Sequence, residues 1–295
     1  MPQIVDNDIR IFLIDEMEKI RQEYSMPDKW PGNDKIQALC KSAGQLFIYA
    51  STACRLMRST VRGPECELAG ILNDFKGLDL LYIGVLESAM RHYGRGEALY
   101  NAELNSQFRR VLGHIVILLG PVSMTPLARL CGLDSTPVFL TIDSLRAILI
   151  APKTASDVNS IRLHHPSFRD FLDPKRHSDS QFSIDEAEAH GNLFSKCLDL
   201  TSKLQKDICN LQHPGILASA VEKDEVEKFL PPEIRYACRY WTHHLQRSNT
   251  VLGNDDNVHN FLRKHFLHWL EALSLIGVLV EGVHAVIRLE SMLKV

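Results

Sequence analysis

The sequence predicts a mainly α-helical chain: a helical bundle, then a winged-helix unit with a small β-hairpin, then a superhelix-like helical stack. Three observations carry that prediction. Apolar residues recur at i, i+3 and i+4 through most of the 295 residues, the period of a helix with one buried face. Alternation with period two is confined to residues 147–152 and 160–164, on either side of the polar run 153–159, as in a hairpin. Hydrophobic residues make up 45% of the chain, enough for two or three compact units. The longest apolar runs, Val111–Leu119 and Leu273–Val280, are too short to span a bilayer and suit core helices.

Taken in order, residues 6–24 place Ile9, Phe12, Leu13, Met17 and Ile20 on one stripe. Residues 33–58 continue more strongly with Ile36, Leu39, Cys40, Ala43, Leu46, Phe47, Ala50, Ala53, Cys54 and Met57, which predicts one long helix. The turn Trp30-Pro31-Gly32-Asn33 opens it, with Asn33 as its cap. Residues 59–77, with Gly63-Pro64 and Gly70, read as a loop; a helix over 78–92 follows, broken by Gly94-Arg95-Gly96.

Residues 105–173 then read as a winged helix. Its first helix carries Phe108, Val111, Leu112, Ile115 and Leu119 and ends at Gly120-Pro121. A second, 126–131, is capped by Thr125 and stopped by Gly132; a third runs over 136–148. The hairpin comes next, and a helix starting at Pro166 closes the unit. Beyond 180 the pattern is helical, with one long helix over 184–211 and others over 233–246, 258–276 and 278–293. Pro214-Gly215, Pro231-Pro232 and Gly253–Asp256 separate them. The division predicted is 1–104, a helical lid-like segment; 105–178, the winged helix; and 179–295, the helical stack.

A formal net charge of -3 argues against nucleic acid or an anionic membrane as the main partner. Seven cysteines, an odd number without a C-x-x-C pair, together with no signal peptide at the start, predict reduced thiols in an intracellular, cytoplasmic protein.

The junction from Arg162 to Leu172 holds the most chemistry. Ile161 and Leu163 alternate as in a half-buried strand, Pro166 turns the chain, and Phe168, Phe171 and Leu172 form one helical face. His165 falls at the corner, beside the N–H groups and positive dipole end expected of a helix start, a setting suited to an anion. His164 is expected to point the opposite way.

This stretch, HPSFRDFL, resembles the segment closing the winged-helix subdomain of NACHT-type STAND signalling NTPases, especially a large fungal family of them. LFIYASTACRLM, LDLLYIGVL, VLGHIVILLGPVSMTPLARLCGL, YACRYWTHHL and FLHWLEALSLIG stand in the order that family shows, so the resemblance covers nearly the whole chain. It implies lid helices, a winged helix and a helical stack, the region that follows the NTPase core. It also implies that His165 touches the β-phosphate of bound ADP where a NACHT core is present. Against that stands a plainer role for His165, as a capping or packing residue that the fold retains, which the sequence favours for the isolated chain.

No G-x-x-x-x-G-K-[ST] occurs, so the chain has no phosphate-cradling loop and no lysine for the β- and γ-phosphates. No catalytic residues are assigned, and no cofactor: ADP or ATP is expected only where an NTPase core is supplied. The chain is thus expected to be the non-enzymatic, regulatory relay part of a NACHT-type NTPase, with protein partners such as a NACHT core or a repeat domain. The alternative is a plain helical interaction module, or a degenerate remnant, with no nucleotide partner.

Other candidate sites are weaker. A winged helix reads DNA with its third helix, yet that segment offers Asp143 and Arg146, preceded by Asp134, rather than several Lys, Arg, Asn or Gln. His243-His244 and the i,i+3 pair His265 and His268 lack carboxylates or cysteines at ligand spacing, so helix interfaces explain them better than metal. No G-x-S-x-G elbow supports a hydrolase.

Overall fold

The computed structural model describes every residue except 1, 60–61, 94–101, 155–158, 177–181, 214 and 294–295, together with the backbone alone of 2 and 3. The break expected at Gly94-Arg95-Gly96 therefore lies outside the described residues. Among those described, fourteen α-helices and one two-stranded antiparallel sheet form the secondary structure, a mainly-α fold. Two compact units divide the chain, one made of Met1–Arg109, Phe139–Ala151 and Arg162–Ser183, the other of Arg110–Val138, Pro152–Ile161 and Ile184–Val295.

The first unit begins with α1 (Pro2–Glu23), α2 (Asn33–Ala43), α3 (Phe47–Ser59), α4 (Pro64–Asp74) and α5 (Leu78–His92). Ile9, Leu13, Met17 and Ile20 are buried along α1, as their spacing predicts. Arg58 of α3 holds Glu16 and Glu23 of α1, the latter at 2.8 Å. The helix expected over 33–58 is in fact two. Gly44 (φ 52°) and Gln45 (φ 68°) both adopt the left-handed region, and the Gly44 N–H returns to Lys41 O. That double reversal rotates the stripe, so Leu46, expected inside, is 47% exposed.

Residues 59–77 are not all loop, because α4 occupies their middle. Pro64 sits in its first turn with Glu65 and Glu67 beside the dipole's positive end, while Leu68 and Ile71 are buried. The α4–α5 connection places the Phe75 ring against Gly84 of α5, where a Cβ would run into the ring's Cζ. The Tyr49 hydroxyl donates to the Phe75 carbonyl at 2.7 Å, fixing the same loop from α3.

Helices α6 (Ala102–Ile117) and α8 (Ser135–Ser144) contribute to both units. The hairpin joins β1 (Leu149–Ile150) to β2 (Arg162–Leu163), with Leu149 opposite Leu163 and Ile150 opposite Arg162. It is shorter than the alternation suggested: among the described residues the ladder holds these two pairs, and Ile161 forms a separate bridge with Val122. The six-residue α9 (Ser167–Leu172) follows.

In the second unit, α7 (Met124–Cys131) starts after Ser123 rather than Thr125 and stops at Gly132 in the left-handed conformation. Then come α10 (Glu186–Thr201), α11 (Lys223–Phe229), α12 (Pro232–Arg247), α13 (Asn257–Leu275) and α14 (Leu279–Leu293). The helix expected over 184–211 ends ten residues early. Thr201 Oγ1 turns back onto the Cys197 and Leu198 carbonyls, and further on the Asp207 carboxylate accepts from Leu211 N and Gln212 N. Those local bonds replace helix continuation. The core lies where α10, α12 and α13 meet: Trp241 and Trp269 cross edge-to-face at 5.5 Å, Phe261 stands 5.4 Å from Trp241, and Trp269 Nε1 donates to Cys238 O at 2.8 Å.

Candidate functional site

The β2–α9 junction lies wholly in the first unit and is built by the hairpin's end. The His164 N–H closes the ladder onto Ile148 O at 2.9 Å, leaving His164 half-buried; its neighbour His165 is exposed. Burial, and then the guanidinium of Arg55, push the His164 imidazole below the ordinary histidine range, against a backbone hydrogen bond to Arg146. Arg55 is itself fixed by its Nε donating to Ala147 O at 3.0 Å.

The geometry around His165 determines its tautomer. The backbone N–H of Ser167 donates to His165 Nδ1 at 3.2 Å, and Ser167 Oγ stands 2.7 Å from the same nitrogen. A backbone N–H can only donate, so Nδ1 must be the acceptor and Nε2 carries the proton. The Ser167 hydroxyl then also donates to Nδ1, and its lone pairs face the Tyr82 hydroxyl at 2.9 Å. Tyr82 belongs to α5, and its phenol is pushed up by burial. The same ring takes Phe168 at 5.1 Å and Phe171 at 5.5 Å. The closing helix thus has its aromatic partner in α5.

One expectation about this corner is corrected. The first N–H groups of α9 are not free for an anion: Ser167 N serves His165 Nδ1, Phe168 N reaches His165 O at 3.4 Å, and Arg169 N and Asp170 N reach Pro166 O at 2.9 and 3.3 Å. The exposed His165 keeps its Nδ1 on Ser167, which leaves Nε2 as the ring nitrogen free of those bonds. Neither Ser167 nor Tyr82 was singled out by sequence reasoning. Ser167 could have been found from its place two residues after His165, where serine oxygens commonly join local turns. Tyr82, 85 residues from Ser167, becomes visible only through the tertiary contact.

The other candidates resolve into packing. The third helix, expected over 136–148, is α8 and ends at Ser144, so Arg146 lies just beyond it, and its Nε binds Asp143 Oδ1 at 2.7 Å. Asp134 is exposed. His243 Nε2 meets Arg288 Nη2 of α14 at 2.9 Å, whereas His244 faces α10, so the adjacent pair diverges. His265 Nδ1 donates to Leu204 O at 3.0 Å with its ring stacked on Phe261, and His268 Nδ1 lies 3.3 Å away from that nitrogen. Among the described residues no group of three or more His, Cys, Asp or Glu is arranged to hold a metal ion.

The second unit also buries further polar groups, of which sequence reasoning singled out only His244. His244 Nε2 meets the Tyr236 hydroxyl at 2.9 Å and its Nδ1 meets His190 Nδ1 at 2.7 Å, while the Leu119 N–H donates to the same tyrosine at 3.2 Å. His114 Nδ1 stands 3.2 Å from Cys131 Sγ. Burial pushes His114 down to about 4 and His244 down to about 2, with Arg110 and the neighbouring histidines adding to the effect. Their only sequence signal is a histidine on an otherwise apolar stripe.

Among the described residues, no helix is long and apolar enough to cross a membrane. The chain is 28% identical over 281 residues to the vegetative incompatibility protein HET-E-1 of Podospora anserina; the match takes in 85% of this chain and 19% of that protein. The chain therefore spans about a fifth of the length of this relative. No family model matches the chain, and no solved structure does.

Proposed function

We propose that this chain is the non-enzymatic relay region of a fungal NACHT-type signalling NTPase, comprising a lid-like segment (1–104), a winged helix (105–178) and a helical stack (179–295). The observation that carries the reading is the match to a fungal incompatibility protein along 85% of the chain, taken with the ordered segments that resemble NACHT proteins. The junction adds support, because an exposed histidine there keeps its Nδ1 occupied by Ser167 and leaves Nε2 for an outside group. In this reading His165 meets the β-phosphate of ADP held by a NACHT core, and the helices behind it move as a lever when the nucleotide changes. The chain supplies no catalytic group of its own. Its partners are proteins, a NACHT core or a repeat domain, inside the cell.

The test is nucleotide-dependent association. Mixed with a purified fungal NACHT core, the chain should co-sediment in ADP and be released, or bind more weakly, in a non-hydrolysable ATP analogue. Association that ignores the nucleotide, or none at all, would overturn the reading.

One observation favours the second reading, a plain interaction module. Leu279, Val280, Val283, Val286 and Ile287 of α14 form an exposed apolar stripe. Polar replacement of Val283 and Ile287 that abolishes every interaction of the chain, while His165→Ala leaves all of them intact, would decide for that reading.

A further inference from the structure

From the bonding at the junction, we infer that Ser167 and Tyr82 are positioning residues that hold His165 as a single tautomer with Nε2–H turned outward. The inference deepens the proposed contact between His165 and a phosphate and depends on that reading for its use, though not for its chemistry.

The directions of the bonds follow from what each group can do. The Ser167 N–H, 3.2 Å from Nδ1, is an obligatory donor, which assigns the lone pair to Nδ1. With no proton on Nδ1, the 2.7 Å approach of Ser167 Oγ is a bond only if the hydroxyl proton points at the ring. That rotor position turns the oxygen lone pairs toward Tyr82, whose hydroxyl, 2.9 Å away, completes the chain by donating. The three groups are therefore polarised in one sense, from Tyr82 through Ser167 to the imidazole.

The anchor of this chain is rigid. Tyr82 is about 1% exposed and wedged against Phe168 and Phe171, which themselves follow Ser167 in α9. The packing that fixes the short helix thus also aims the hydroxyl that aims the imidazole. An unconstrained neutral histidine populates both tautomers, and only the Nε2–H form can donate outward here while its Nδ1 accepts inward.

Two arms test the inference on the full chain. In the first, selective nitrogen labelling of histidine and long-range proton–nitrogen correlation read the His165 tautomer directly. The wild type should show one tautomer, with Nδ1 unprotonated. Ser167→Ala, which keeps the 3.2 Å backbone bond and loses the 2.7 Å hydroxyl bond, should let the second tautomer appear as a minority; Ser167→Thr should restore the single form, and Tyr82→Phe, which keeps the ring packing, should move the Nδ1 resonance alone. A wild-type mixture, a protonated Nδ1, or no change in Ser167→Ala would overturn it.

In the second arm, association with an ADP-loaded fungal NACHT core should weaken about three- to tenfold in Ser167→Ala and recover in Ser167→Thr, the scale of one hydrogen bond losing its alignment. If His165→Ala weakens association but Ser167→Ala does not, the positioning role is wrong and the phosphate contact stands. If His165→Ala has no effect, the contact fails, and the tautomer measurement still judges the positioning role by itself.

Discussion

Gly84 shows how a single residue can decide the local packing of an element. In an ordinary exposed helix, Gly→Ala stabilises by roughly 0.5–1 kcal/mol because it restricts the unfolded chain. At Gly84 the new methyl would enter the Phe75 ring, so Gly84→Ala should instead destabilise by about 1–3 kcal/mol, the range for overpacking. Urea denaturation monitored by circular dichroism checks the sign, and a raised midpoint would show that the Phe75 ring yields easily. Phe168 offers the converse case. Its ring is 1% exposed, so Phe168→Ala should cost on the order of 3–5 kcal/mol, and an unchanged midpoint would contradict its place in the core. The burial of Phe168, Phe171 and Leu172 was legible from their spacing, but their partner was not. Tyr82 sits among apolar residues in LDLLYIGVL, and nothing in that run tells a packing ring from one whose hydroxyl reaches a distant serine.

At the scale of the helix, stripes revealed existence and type, while ends depended on interactions the stripe does not encode. The apolar pattern of 33–58 continues across Gly44-Gln45, so one glycine looked tolerable where two left-handed residues in fact break the helix. Helix α4 escaped notice because Gly63-Pro64 reads as a turn and Gly70 thins its short stripe, although Pro64 is a first-turn residue. The overestimate of α10 has the same origin: Asp207 and Thr201 compete for the backbone through side-chain bonds.

A pH dependence belongs to this scale, since it arises where α6, α10 and α12 share buried histidines. His114 and His244 have folded values of about 4 and about 2, below the ordinary 6.5. Below pH 6.5 the unfolded chain therefore binds protons that the folded chain refuses. Stability from these two groups is intact above the ordinary value and is lost as pH falls toward the folded values, by about 2 kcal/mol for each histidine near pH 5. Urea midpoints measured from about pH 7 to pH 5 should fall steadily, and replacing His244 by Gln should flatten the slope. A midpoint indifferent to pH over that span would mean that the histidines are hydrated.

For the whole molecule, the order of elements was legible and the grouping of the chain into units was not. The order of elements from α6 to α9, with the hairpin between α8 and α9, follows from stripes, one glycine stop and one alternation of period two. The compact units recombine segments such as Phe139–Ala151 with Met1–Arg109, an arrangement that rests on contacts far apart in sequence. Of function, the sequence offered a family resemblance, with which the 28% identity to an incompatibility protein agrees in general terms only. The chain alone should hydrolyse neither ATP nor GTP, and calorimetry should find no micromolar site. With Arg146 bound to Asp143, it should also leave duplex DNA unshifted in fluorescence anisotropy at physiological salt; a salt-dependent, sub-micromolar shift would contradict that.

The central claim is that an exposed His165, and not its half-buried neighbour, meets a nucleotide phosphate supplied by another protein region. It is tested most directly by measuring the affinity of the chain for an ADP-loaded fungal NACHT core with each histidine replaced in turn. His165→Ala should weaken binding by roughly 1.5–3 kcal/mol, the loss of one charge-assisted hydrogen bond, and His164→Ala should leave it unchanged. Equal effects of the two substitutions, or none from His165→Ala, would contradict the account.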